Sequence, residues 1–196
     1  MTEWIWLRAA GIGAYVALFL SVAWGLVSTT GVVTKRVSKA SSNRFHASIA
    51  TAGLALLAIH LVLLLMHDFV PFDLLDLLVP VRASYRPFGV ALGIASMYLL
   101  VLVAVTSWVR ARMSTSAWRA VHLLAVPAFI LALVHGVFAG TDTERPWMFA
   151  MYASTGIATL FLLLVRGLTA GYRPPRPATA PRRGTPDVKR EPASAA

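Results

Sequence analysis

Five apolar runs of about twenty residues, with the charged residues gathered between them, leave this chain few ways to fold. A hydrocarbon core about 30 Å thick needs roughly 20 residues of helix. The runs near Ala9 to Thr30, Phe45 to His67, Pro87 to Val109, Trp118 to Ala139 and Trp147 to Leu168 are each long enough. Of 196 residues, 58% are hydrophobic and 13% charged, and the polar ones do not form a stripe along each run. That pattern excludes a water-soluble amphipathic bundle. The fold class that follows is all-α, an integral membrane bundle of five transmembrane helices in the cell membrane. The first run lacks a cationic lead-in and a small-residue cleavage site, so it reads as a retained helix that serves as scaffold, not a signal peptide.

The net charge of +10 would suit nucleic acid, but its distribution points to membrane topology instead. The loop after the first run holds Lys35, Arg36, Lys39 and Arg44 with no acid, and the loop after the third holds Arg110, Arg112 and Arg119. The other two loops are mixed: Asp68, Asp73 and Asp76 against Arg82 and Arg86, then Asp142 and Glu144 against Arg145. The positive-inside rule therefore makes the first pair cytoplasmic, with the N-terminus outside and the C-terminus inside. Trp4 and Trp6 suit an interfacial aromatic belt, and Gly11, Gly13 and Gly25 suit close helix packing. Phe72 to Leu78 reads as a short surface helix over the outer end of the bundle. Residues 1–170 form the membrane domain. Residues 171–196 hold six prolines, five arginines and a lysine without apolar periodicity, the composition of a disordered tail.

Chemistry enters with the histidines. His46, His60 and His67 follow at steps of 14 and 7 in the second run, and His122 and His135 are 13 apart in the fourth. Fourteen helical residues fall 0.4 short of four turns, so His46 and His60 share a face, within about 40° of each other. Ala50, Gly53 and Leu57 lie between them on that stripe. Both runs point outward, which places His46 and His122 at one depth and His60 and His135 at another, roughly 21 Å away. A lone buried histidine is often only hydrogen-bonded to a neighbouring helix, but four polar groups in matched pairs mark a function. Zinc is a poor fit, because each depth offers two imidazoles with no Cys, Asp or Glu inside either run. The chain has no cysteine, which excludes disulfides, iron–sulfur clusters and covalent haem. Two facing imidazoles are what a six-coordinate haem b needs, one or two per chain. Ala50 and Gly53 then leave room for a porphyrin, or else they simply let two helices approach. Arg44 and Arg119 lie just inward of His46 and His122, where they pair with haem propionates or only mark topology; Arg82 and Arg86 stand in the same relation to the outer depth. A spacing of 13 leaves His122 and His135 about 140° apart on a straight helix. Pro127 lies between them and permits a kink that restores the alignment.

The chain resembles the ferric reductase-like transmembrane family, which includes the membrane portions of ferric reductases and NADPH oxidases and the haem-binding subunit of methionine sulfoxide reductase systems. The resemblance rests on the two histidines 14 apart, Arg86-Pro87 opening the next run, Thr106-Ser107 near its end, and Trp118-Arg119-Ala120-Val121-His122 followed by His135. It covers about Phe45 to Leu168. It implies non-covalent haem b between the second and fourth spans, with His46 paired to His122 and His60 to His135. His67 has no counterpart in the family pattern. Many relatives add a sixth helix and a cytoplasmic flavin and nicotinamide domain, which this sequence does not show. The expectation is a transmembrane electron carrier, an oxidoreductase component. Its donor is a separate flavoprotein or quinol, its outer acceptor is unspecified, and it contacts membrane lipids but no nucleic acid. The alternatives are a single-haem quinol-linked cytochrome b subunit, or a haem-free transporter or assembly subunit whose histidines relay protons.

Overall fold

A computed structural model describes residues 2–29, 37–66 and 72–169. His67, Lys35, Arg36, Asp68 and the 171–196 tail lie outside the described residues. Among the described residues the helices are α1 (Thr2–Ser28), α2 (Lys39–Leu65), α3 (Leu74–Leu78), α4 (Pro87–Trp108), α5 (Thr115–His122), α6 (Ala125–Ala139) and α7 (Pro146–Thr169), with a 3₁₀ turn at Arg110–Arg112. No strand occurs among the described residues. Among the described residues five helical segments are long and apolar enough to cross a membrane, with α5 and α6 together making the fourth. Each agrees with a run read from the sequence.

The starts of the helices follow local chemistry. Ser38 accepts the Ser41 N–H to open α2, and Ser114 accepts the Ala117 N–H to open α5. Proline, which has no N–H to leave unpaired, opens α4 and α7. α1 packs along α2 and also meets α6 and α7, while α4 packs along α6. Spans consecutive in the sequence run in opposite directions. One end of the bundle thus carries Lys39, Arg44, Arg110, Arg112 and Arg119 (the basic end), and the other carries Arg8, Asp73, Asp76, Arg82 and Asp142 (the mixed end).

The two tight helix pairs have their own fasteners. Between α1 and α2, the Trp24 indole N–H donates to the Ser42 carbonyl and hydroxyl oxygens. A side chain at Gly53 would come within 3.2 Å of Ala17 Cβ, so Gly53 serves the close approach of two helices. Between α4 and α6, the buried Ser96 hydroxyl donates to the Ala128 carbonyl at 2.8 Å. The dry core joins α1, α6 and α7 through Tyr15, Val22, Leu26, Phe129, Met148 and Tyr152. Within it the Tyr15 ring stacks on Phe129 at 5.6 Å and meets Tyr152 edge-on at 5.4 Å. With the core on that side, α2 is left close-packed on α1 alone among the described elements. A space opens between α2 and the α4–α6 pair.

The predicted short helix is present as α3. Asp73 accepts the Asp76 N–H, Asp76 accepts the Asp73 N–H, and Arg82 donates to both carboxylates. The Asp76 N–H chiefly, with Arg82 assisting, holds the Asp73 carboxyl below its ordinary value of 3.8. A depressed carboxyl stabilises the cap above its unfolded value and loses that contribution as pH falls through the lower folded one. Amide exchange at Asp76 is therefore expected to accelerate beyond its intrinsic trend only below the usual carboxylate range. Asp73→Asn should abolish that pH dependence, and protection that persists far below the range would contradict the assignment.

Candidate functional site

The space between α2 and the α4–α6 pair is a cavity of about 1530 Å³ whose walls include His46, His60, His122 and His135. Small-molecule pockets run to roughly 300–1,000 Å³, so this one has room for more than one ordinary ligand. The four histidines paired in the sequence reading thus face a shared space from two spans, α2 and α5–α6.

At the basic end His46 and His122 are opposed, with ring centroids 5.9 Å apart and ring planes at 67°. Two imidazoles opposed at this distance could both bind a metal ion or haem iron placed between them. His122 stacks on Trp118 at 4.9 Å, and its Nδ1 lies 3.3 Å from the Ser107 hydroxyl, which also accepts the Trp118 indole N–H at 3.4 Å. On the other side His46 Nδ1 is 3.5 Å from the Ser21 hydroxyl, at the edge of hydrogen-bonding range.

The mixed end is built from backbone. His60 Nδ1 lies 3.2 Å from the Leu7 carbonyl oxygen and His135 Nδ1 lies 2.7 Å from that of Gly89. A carbonyl oxygen can only accept, so each Nδ1 carries the proton and each Nε2 keeps a bare lone pair. This is the usual way in which a metal-ligating histidine is oriented. An imidazole reaches a helical carbonyl only where the side chain one turn on is absent, and the residue four beyond each carbonyl is glycine. A Cβ at Gly11 would lie 3.0 Å from His60 Nδ1, and one at Gly93 would lie 2.7 Å from His135 Nδ1. Both halves of the bundle use the same device. α1 is therefore more than the scaffold its sequence suggested, since it supplies hydrogen-bond partners for both histidines of α2, the Leu7 carbonyl for His60 and the Ser21 hydroxyl for His46. A glycine four residues after a helical carbonyl was the signal available in the sequence, and there Gly11 reads only as a packing glycine.

The fourth span breaks where Pro127 requires it. Proline has no N–H to give Leu123, and the Leu123 carbonyl instead accepts the Val126 N–H at 3.1 Å; Leu124 N–H likewise bonds back three residues, to Val121 at 2.9 Å. These tighter bonds wind at about three residues per turn, adding roughly 20° of rotation per residue. That rotation has the sign needed to bring His135 round towards the face of His122. α5 and α6 end as separate helices with both histidines on the cavity.

The remaining sequence candidates divide. Ala50, Leu57 and Arg119 border the cavity; Arg44 is exposed and does not. Arg82 is held by Asp73 and Asp76. Arg86 adopts a left-handed backbone (φ 39°) ahead of Pro87 and spends its guanidinium on the Phe138 and Gly140 carbonyls at the end of α6. No cluster of three His, Cys, Asp or Glu side chains able to hold a metal ion occurs among the described residues.

Fold and site together define a helical membrane bundle that offers imidazoles in pairs. The chain belongs to the ferric reductase-like transmembrane family: the family model described as ferric reductase like transmembrane component matches residues 10–133. The match takes in most of α1, which the sequence resemblance had left out, and includes His46, His60 and His122 but stops two residues before His135. No curated protein and no solved structure matches the chain. The protein is thus a multi-pass membrane protein, and a role in electron transfer across the membrane goes with its family. Domains of this family typically bind haem and work with separate redox partners.

Proposed function

We propose that the chain is a haem b electron-transfer protein holding two haems, His46 with His122 at the cytoplasmic, basic end and His60 with His135 at the outer, mixed end. The observation that carries the reading is the opposition of His46 and His122 at 5.9 Å across a cavity whose other end holds two further imidazoles. When bound, haem iron supplies one-electron chemistry, and the chain's own residues decide where and at what potential. Leu7 and Gly89 lock the outer histidines in the tautomer with Nε2 free, Ser21 and Ser107 orient the inner pair, and Trp118 backs His122. Gly11 and Gly93 provide the clearance. Of the two inner arginines, Arg119 borders the cavity and is assigned to the inner propionates, while Arg44 serves topology. Electrons enter from a cytoplasmic flavoprotein or a quinol and leave to an acceptor on the outer side.

The test is a reduced-minus-oxidised spectrum of the purified protein with a haem-to-protein ratio from the pyridine adduct. Two b-type haems per chain are expected, falling to one in His60→Ala. A wild-type ratio near one favours the single-haem quinol-linked reading. A colourless protein from haem-supplied cells would rule out electron transfer and leave a transporter or assembly role.

A further inference from the structure

Arg8 is the cation on the cavity wall at the mixed end, and its bonding is incomplete. One Nη2–H donates to Asp142 in the turn between α6 and α7, while its Nε–H is buried and has no partner among the described residues. The residue before it, Leu7, supplies the carbonyl that orients His60, so Arg8 sits at the depth of the outer imidazole pair. Asp142 and Tyr152 border the cavity beside it. The two arginines that the sequence offered for this depth are committed elsewhere, Arg82 to Asp73 and Asp76 and Arg86 to the end of α6, and neither lines the cavity. A buried donor on a cationic side chain calls for an acceptor, and a carboxylate entering a low-dielectric space calls for a charged donor.

We propose that Arg8 is the carboxylate anchor of the outer site, its free Nε–H reserved for a propionate of the haem that His60 and His135 hold. Asp142 holds the guanidinium in place from the other side. The inference rests on the haem reading above, and it makes Arg8 a group that sets the outer potential as well as a brace between α1 and the α6–α7 turn. A cation near a haem favours the reduced, less positive form.

Potentiometric titration of Arg8→Gln, Arg8→Lys and Asp142→Asn tests it, with the outer haem identified as the midpoint missing from His60→Ala. In Arg8→Gln the outer midpoint should fall by about a tenfold change in the reduced-to-oxidised ratio, or about 59 mV for one electron, with the inner midpoint unmoved. Asp142→Asn should move the outer midpoint the other way, because it removes a negative charge and leaves Arg8 in place. Arg8→Lys keeps the charge but loses Nε–H, so its midpoint should move less while the propionate band in the resonance Raman spectrum still shifts. If Arg8→Gln is not recovered from membranes, the Lys and Asn variants carry the test. A two-haem protein in which the outer midpoint and propionate band ignore Arg8→Lys and Arg8→Gln would overturn the proposal and leave the haem reading standing. So would Arg8→Gln and Asp142→Asn acting alike by releasing both haems, the behaviour of a simple brace. A wild-type protein without haem would overturn both readings together.

Discussion

On the two-haem proposal, Gly93→Ala should cost the protein its outer haem although every proposed ligand is still present. A methyl at residue 93 would stand 2.7 Å from His135 Nδ1 and 2.8 Å from its Cε1, closer than carbon atoms are found in proteins. The ring has little freedom to yield, since its Nδ1 is bonded to the Gly89 carbonyl at 2.7 Å. Moving it breaks that bond and strands a buried donor, at about 1–3 kcal/mol. Losing such an orienting partner typically costs a metal site about 10–100-fold in affinity. A haem-to-protein ratio near one is expected. Gly167→Ala, where nothing lies within 4 Å, is the control and should retain the wild-type ratio. Gly11→Ala, with 3.0 Å to His60, should be intermediate. Full occupancy in Gly93→Ala would mean that His135 does not bind haem from this position.

Pro127→Ala should make the protein more stable and, on the same two-haem proposal, half as well loaded. Alanine returns the N–H that Leu123 lacks, so the bonds spanning three residues at Leu123 and Leu124 can give way to regular ones. Proline costs about 3 kcal/mol in a helix interior and less in a first turn, where Pro127 lies in α6, so its removal should raise the resistance of the bundle to heat by a fraction of that figure. The same change fuses α5 and α6 into one helix and restores about 140° between His122 and His135. One imidazole then leaves the cavity. The expected result is a higher unfolding temperature with one haem per chain. Two retained haems would show that packing of α6 against α4, and not the proline, turns His135 inward.

Much of this architecture is legible in one dimension. The five spans come from runs of apolar residues, and α3 comes from Asp73 and Asp76 three apart between leucines, because both signals are local. The shared face of His46 and His60 follows from helical arithmetic, and the anomaly of the 13-residue spacing pointed to Pro127 for the same reason. Arg82 and Arg86 look free in sequence, yet one is engaged by a capping box and the other by the carbonyls that end α6, and neither commitment leaves a mark on neighbouring residues.

By itself the sequence determined that the chain crosses a membrane five times and carries four histidines at two matched depths, since hydropathy and helical period depend only on residues a turn or two apart. The tertiary structure alone decided which atom holds each imidazole. The acceptors Leu7 and Gly89 are backbone carbonyls, 53 and 46 residues from the rings they orient, and every residue has such a carbonyl. The pairing of Arg8 with Asp142 spans 134 residues. Such choices are made when helices pack, because a carbonyl becomes a specific acceptor only when a neighbouring helix brings a donor to it and a glycine leaves the way open.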